Sequence, residues 1–350
     1  VTATQFVAAV VRTEVIAALL IVLGLVQFGI ARRARLRKRT RTRNDLAARF
    51  TRIAAGDALS AADRVALASA GTRNLTASLA QIARSVDGAT RQRLSEAARE
   101  LGVAEAASRE LDSSRWWIRL GAARCLSTIG ADSEQLRRLI ADPEPFVRAE
   151  AAVCVAFASS RDDAALLLPM LTDPAPVCRF AARDALMRIP GVAAPIIADA
   201  LARNEGDIAV LLTVAATMPS HQFQAAALQH SSDAPGDTRC AAVAVLRGIG
   251  GPACIARLRA MLLDDDASVR CAAADALGTL ADWRSAFALR RLLGDASSDV
   301  RLQAARALQR LGAPGVLMLR DAAAAAEALP AAIAQQALDI MMLASANGTP

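Results

Sequence analysis

Asp264–Leu277 reads DDDASVRCAAADAL, and Asp295–Leu308, one period of 31 residues later, reads DASSDVRLQAARAL. Both carry an aspartate, a Val-Arg dipeptide, an alanine three residues after the arginine and a leucine seven after it. Residues at +3 and +7 share one face of a helix. Each segment therefore predicts an Asp-bearing turn followed by a helix whose packing face carries a small residue and an aliphatic one. A small residue at that point lets a neighbouring helix approach closely.

The same arginine recurs at Arg119, Arg148, Arg179, Arg239, Arg270 and Arg301, with spacings of 29, 31, 60, 31 and 31. The gap of 60 is two periods, which places a degenerate fourth copy near Ala209, with Leu212 at the small position. An aspartate precedes the arginine by six residues at Asp142, Asp173, Asp233, Asp264 and Asp295, while Arg203 stands there in the degenerate copy. Self-similarity at this period is the mark of stacked helical hairpins, each needing its neighbours to cover its apolar face. The aspartates are expected to cap the second helices or to pair with repeat arginines, forming a structural ladder.

Composition agrees. Alanine and leucine dominate, aromatics are scarce and tyrosine is absent, which favours helix over sheet. The net charge of +7 is concentrated: eight basic residues (Arg32, Arg33, Arg35, Arg37, Lys38, Arg39, Arg41 and Arg43) form one run, and taking them away leaves −1 for the rest. A chain that grips nucleic acid spreads its positive charge over the folded surface, so no nucleic-acid partner is expected. The run follows Val15–Ala31 (VIAALLIVLGLVQFGIA), which has no charge and is near the lower length limit for a membrane span. The basic run lies after the apolar stretch, the reverse of a signal peptide. By the positive-inside rule the N-terminus lies outside and everything after the span lies in the cytoplasm, with the arginines near anionic lipid.

These readings divide the chain into a short outer segment at 1–13, a transmembrane helix at 14–31, a basic stop-transfer segment at 32–44, a helical cap at 45–112, repeats at 113–320 and a C-terminal cap and tail at 321–350. In the cap, Leu75, Leu79, Ile82 and Val86 share one helical face, as do Leu94, Ala98 and Leu101. Asp321–Leu343 is expected to be a terminal helical pair and Ala344–Pro350 a frayed tail. Six cysteines without a C-x-x-C pair read as core or near-core thiols, and reduced thiols fit a cytoplasmic domain. His221 and His230 lack partners for a metal site and are expected on loop surfaces; no catalytic, cofactor-binding or metal-binding residue is expected.

The repeat pattern resembles the HEAT family, in its short bacterial form, over about residues 113–312. The residues that carry the likeness are DPEPFVRAEAA at Asp142–Ala152, DPAPVCRFAA at Asp173–Ala182 and the two segments quoted first. The resemblance implies an all-α, HEAT-type α-solenoid, here preceded by a single transmembrane helix. Such solenoids bind proteins along an extended face. A row five residues past the arginine, comprising Arg124, Val153, Asp184, Val214, Ala244, Asp275 and Arg306, is the expected partner surface, unless part of it is interior. Trp116 and Trp117 are either an exposed anchor or packed against the cap. The layout also resembles bacterial membrane HEAT proteins, which implies a non-enzymatic scaffold for another inner-membrane protein, such as a glycosyltransferase or polysaccharide-export component. The rival readings are an adaptor of a signalling or transport complex, or a HEAT-like enzyme of lyase or DNA-repair type.

Overall fold

The computed structural model describes residues 23, 25–30, 32–34, 37, 40–42, 44–71, 74–75, 78–79, 82, 88–128, 134–158, 160–232 and 234–346. These residues are helices and short connections, in two compact units, Val1–Phe157 and Ala158–Pro350.

In the first unit a helical stretch at 44–55 is followed by α1 (Ala61–Ser69), α2 (Gly88–Glu100), α3 (Val103–Glu110), α4 (Trp116–Thr128), α5 (Glu134–Arg138) and α6 (Pro145–Ala158). Its core runs from Leu46 and Phe50 through Leu67, Leu75, Leu79, Leu94 and Ala98 to Ala122, Leu126, Val147 and Ala151, with Ile82 and Leu101 packed at the margin. The two apolar stripes of the cap thus face one core, and Val86 lies outside the described residues. Asp63, which is buried, ties the cap's first turns together. Its carboxylate accepts from Arg49 at 2.7 Å, Arg52 at 3.0 Å and the Ser60 hydroxyl at 2.5 Å.

The second unit holds α7 (Arg161–Leu167), α8 (Pro176–Arg188), α9 (Pro190–Ala202), α10 (Ile208–Ala215), α11 (Gln224–His230), α12 (Gly236–Ile249), α13 (Gly251–Ala260), α14 (Ala267–Thr279), α15 (Ala286–Arg291), α16 (Ser298–Arg310), α17 (Ala313–Ala323) and α18 (Ala328–Ala346). Single 3₁₀ turns at Met261–Leu263 and Leu292–Gly294 lead from each first helix into the aspartate turn. The second helices α10, α12, α14, α16 and α18 pack each upon the next. They do so through the small residues the repeat supplies: Ala242, Ala273 and Ala304 are fully buried, with Leu246, Leu277 and Leu308 beside them. Each hairpin reverses sharply. Gly250 at φ +67° separates α12 from α13, and Gly312 at φ +68° separates α16 from α17, a backbone region that glycine occupies without strain. The helix starts are equally local. Pro176 opens α8, and Asp266 caps α14 by accepting from the Ser268 N–H at 2.8 Å.

Four expectations need correction or placing. The terminal helical pair begins at Ala313, not Asp321, because Gly312 and Pro314 end α16 and start α17; Asp321 sits in the last turn of α17. Helix α18 continues to Ala346, beyond the expected fraying point at Ala344. His230 is not on a loop but is the half-buried last residue of α11, where its Nε2 is buried without a partner; His221 is exposed in a 3₁₀ turn. Most of Val15–Ala31 lies outside the described residues. Among the described residues no single helix is long and apolar enough to cross a membrane. The pair α8 and α9 has the length and composition but bends by 115°. Both helices bury Ala182, Leu186, Ile197 and Leu201 in the protein.

The six cysteines are thiols outside any disulfide. Cys125, Cys154, Cys178 and Cys254 are buried, while Cys240 and Cys271 are half-buried. Burial pushes the Cys154 thiol up to about 12. It also raises those of Cys240, Cys254 and Cys271, with neighbouring aspartates reinforcing the effect at Cys240 and Cys271. The thiolate is the reactive form, so native protein at neutral pH should be alkylated slowly by iodoacetamide, with rapid labelling of all six only in urea. Mass spectrometry of the adducts checks this; fast labelling of Cys154 in folded protein would contradict it.

Candidate functional site

The recurring spacing of the turns builds one arrangement repeatedly. The arginine of a repeat projects forward, and its Nε and Nη2 donate side by side to the aspartate of the next turn. In the first unit Arg119 meets Asp142 at 2.7 and 2.7 Å. In the second, Arg239 meets Asp264 at 2.9 and 2.6 Å, and Arg270 meets Asp295 at 2.8 and 2.9 Å. The remaining Nη1 turns back to the carbonyls of its own turn. Arg270 donates to Asp264 O at 2.7 Å and Asp265 O at 3.0 Å, and Arg148, Arg179 and Arg301 make the equivalent pair with their own turns. The aspartate also accepts from the backbone N–H two residues on: Asp142 from Glu144, Asp173 from Ala175, Asp264 from Asp266 and Asp295 from Ser297. One carboxylate therefore shapes its turn and receives the previous repeat. Planar guanidinium makes this two-point contact and an ammonium cannot. Asp233 lies outside the described residues.

Burial by itself would raise the Asp142 and Asp264 carboxyls. The Arg119 and Arg239 forks and the turn N–H groups outweigh it and hold both below the ordinary range. Asp295 is held down chiefly by Arg270, against its burial. Because these groups take up protons less readily in the folded state, they stabilise it fully above the ordinary carboxylate value of about 3.9 and lose that contribution as pH falls through their depressed values. The melting temperature should be level from pH 7 to 5 and drop below about pH 4; a profile with no acid-side drop would contradict this.

The expected partner row is divided by the structure. Val214 is fully buried and Val153 and Ala244 are half-buried, so part of it is interior. Asp275 bridges three repeats. It accepts from Arg247 Nη1 at 2.8 Å, from Gln303 Nε2 at 2.6 Å and from Arg310 Nη1 at 2.7 Å. Arg124 reaches Glu150 at 2.9 Å, again from one repeat to the next, and Asp184 holds Arg188 one turn along at 2.8 Å. Arg306 is exposed. The sequence pattern hid the Asp275 and Arg124 bridges because their partners sit in neighbouring repeats at a different register.

Trp116 and Trp117 are 38 % and 46 % exposed, edge to face at 6.0 Å, and Trp116 stacks on the exposed Phe146 at 6.3 Å. They are neither fully packed nor isolated: they form an aromatic cluster across α4 and α6. Phe146 escaped attention in the sequence, although it occupies in its repeat the place Trp117 has in the previous one.

A cleft of about 410 Å³ opens at the degenerate fourth turn of the second unit. Its apolar wall includes Leu168, Leu171, Ile196 and Leu211, and Arg203, Glu205, Gly206 and Asp207 contribute to its rim. Arg203, in the place of the repeat aspartate, pairs with Glu205 at 3.1 Å, and Asp207 caps α10 through the Val210 N–H. Among the described residues no group of three or more metal-ligating side chains is gathered together.

The family described as HEAT repeats matches residues 105–187 and 224–309. Among curated proteins none matches the sequence. Among solved structures, a mutant of Kap121p is similar with a TM-score of 0.52 at 11 % identity, over 79 % of this chain and 40 % of that one. This chain thus spans less than half of Kap121p. An engineered protein is similar at 20 % identity over 86 % of this chain and 94 % of its own, with a TM-score of 0.37. The CpcE–CpcF complex of a phycocyanin lyase from a Nostoc species is similar at 19 % identity, over 67 % of this chain and 93 % of that one, with a TM-score of 0.30. At 11 % identity the likeness to Kap121p concerns the fold alone. The two matched stretches are similar to HEAT repeats, and their helical hairpins are of the α-solenoid type.

Proposed function

We propose that this protein is a non-enzymatic scaffold, held at the cytoplasmic face of a membrane by its N-terminal apolar segment, whose repeats bind another membrane protein. HEAT repeats supply extended helical surface, which suits a scaffold.

The observation that carries the membrane part is in the first unit. Leu23, Leu25, Val26, Phe28 and Ile30 are helical and between 52 % and 65 % exposed. A helical stretch without charge that exposes five large apolar side chains is poorly tolerated in water and normal in lipid. It is continuous in sequence with Val15–Leu20 and is followed by Arg32, Arg33, Arg37 and Arg41, the order that leaves the repeats in the cytoplasm. Tethering raises the local concentration of the repeats near another membrane protein, so modest intrinsic affinity suffices.

The test has two arms. The chain should stay in the membrane pellet after alkaline carbonate extraction, and a C-terminal phosphatase fusion should be inactive. A photo-crosslinking side chain at Arg306 should then recover an integral membrane protein above a scrambled-repeat control. Extraction into the supernatant, an active fusion, or recovery of only soluble material would overturn the reading.

A further inference from the structure

We propose that Arg179 is an open rung of the ladder and binds an acidic side chain of a partner peptide, whose adjacent apolar residue occupies the cleft at the fourth turn. This rests on the scaffold reading and specifies the chemistry of the bound protein.

Arg119, Arg239 and Arg270 each close a rung on the next aspartate. In each, Nη1 is tied to a carbonyl of the arginine's own turn, which fixes the guanidinium plane and aims Nε and Nη2 at the next turn. Arg179 is fixed in the same way, with Nη1 donating to Asp173 O at 2.8 Å and Pro174 O at 3.0 Å. Among the described residues no carboxylate meets its Nε and Nη2. The position that supplies one elsewhere is Arg203, and the two acids nearby in sequence are committed, Glu205 to Arg203 and Asp207 to the start of α10. Arg179 is therefore exposed, positively charged and already held in the pose that takes a carboxylate on two points.

The seam is altered around it in the same sense. Asn204 at φ +55° and Gly206 at φ +80° carry the turn away from the regular form, and α10, at eight residues, is the shortest of the second helices. The cleft opens here, between Leu171 and Thr172 of the third turn and Arg203–Asp207 of the fourth. Its apolar floor fits an aliphatic or aromatic residue next to the acid that Arg179 takes. The molecule itself shows the preferred ligand, since the aspartates of the closed rungs are the same chemistry supplied in cis. Arg301 also lacks a carboxylate, but its Nε is buried, so it serves as the internal control.

The test uses the full chain in detergent micelles and an array of acetylated hexapeptides. Each carries Asp or Glu followed by Leu, Val or Phe, beside its Asn or Gln counterpart. The acid peptides should bind at least about tenfold more tightly than the amides, a preference lost in Arg179→Gln and kept in Arg301→Gln. Arg203→Asp, which supplies the missing carboxylate in cis, should abolish the preference and raise Tm by about 2–4 °C. Equal binding of acids and amides, or an acid preference that survives Arg179→Gln or Arg203→Asp, would overturn the proposal. Those results would leave the recovery of a membrane protein by Arg306 crosslinking untouched, so the two readings fail separately.

Discussion

Gly315→Ala is expected to destabilise the C-terminal end of the second unit by about 3 kcal/mol, with a fall in its melting transition on the order of 5–10 °C. A Cβ at Gly315 would stand 1.8 Å from the Leu308 carbonyl oxygen and 2.6 Å from its carbon. That neighbour is helix backbone, so it cannot swing aside as a side chain would. Gly312 turns the chain back so tightly that the first turn of α17 lies on the last turns of α16. Gly278→Ala should act in the same direction at the α14–α16 seam, where the added carbon would meet Ala307 Cα at 2.7 Å and its Cβ at 2.9 Å. Gly121→Ala is the contrast. It lies within α4, a Cβ there meets nothing within 4 Å, and the substitution should stabilise by about 0.5–1 kcal/mol through the unfolded chain. Thermal melts of the three variants check the order; a Gly315→Ala protein as stable as wild type would remove close helix approach as the determinant of the stack. Because neighbouring repeats are coupled only locally, the loss should appear first as an early transition of the affected end.

Much of this architecture was legible because it is periodic. Alanine at +3 and leucine at +7 recur in phase, and their burial at Ala273, Leu277, Ala304 and Leu308 follows from helical geometry alone. The turn aspartate was equally visible, as was the break at Ala209. What periodicity could not reveal was direction. An aspartate six residues before an arginine suggests an internal pair, yet the side-chain fork reaches the following repeat and only the backbone carbonyl serves its own arginine. Nor could a single register expose Asp275, whose three donors come from positions with different offsets in the repeats before and after it. Asp275 lies on a second helix, and its carboxylate is spent within the stack. The repeat pattern does not single out Gly278 and Gly315, and the facing backbone explains them. The exposed pair Trp116 and Trp117 was undecided from sequence because nothing local identifies Phe146 as the third ring.

Arg270→Ala should cost about 2–3 kcal/mol, and Arg301→Ala less than about 1 kcal/mol, although the two arginines occupy the same place in consecutive repeats. The difference lies in what each leaves behind. Removing Arg270 strips two charge-assisted bonds from Asp295, whose side chain is only 8 % exposed and keeps just the Ser297 N–H. A carboxylate in that position without its cation is expensive, and it relieves the cost by taking up a proton. Arg301 donates only to the Asp295 and Ala296 carbonyls, so its loss uncovers two acceptors at the edge of a turn and no charge. Arg270→Lys should fall between, since an ammonium keeps the charge but cannot match both oxygens. The pH dependence distinguishes a rung from generic packing. Asp295 is held below the ordinary carboxylate range chiefly by Arg270, so in Arg270→Ala the folded-state value moves back up toward the unfolded one or beyond it. The stability that Asp295 contributes above about pH 4 then disappears, and the gap between variant and wild type should narrow as the pH is lowered through that range. Equal melting temperatures for Arg270→Ala and Arg301→Ala at pH 7, or a gap that does not change down to pH 3, would show that the forks do not hold successive repeats in register.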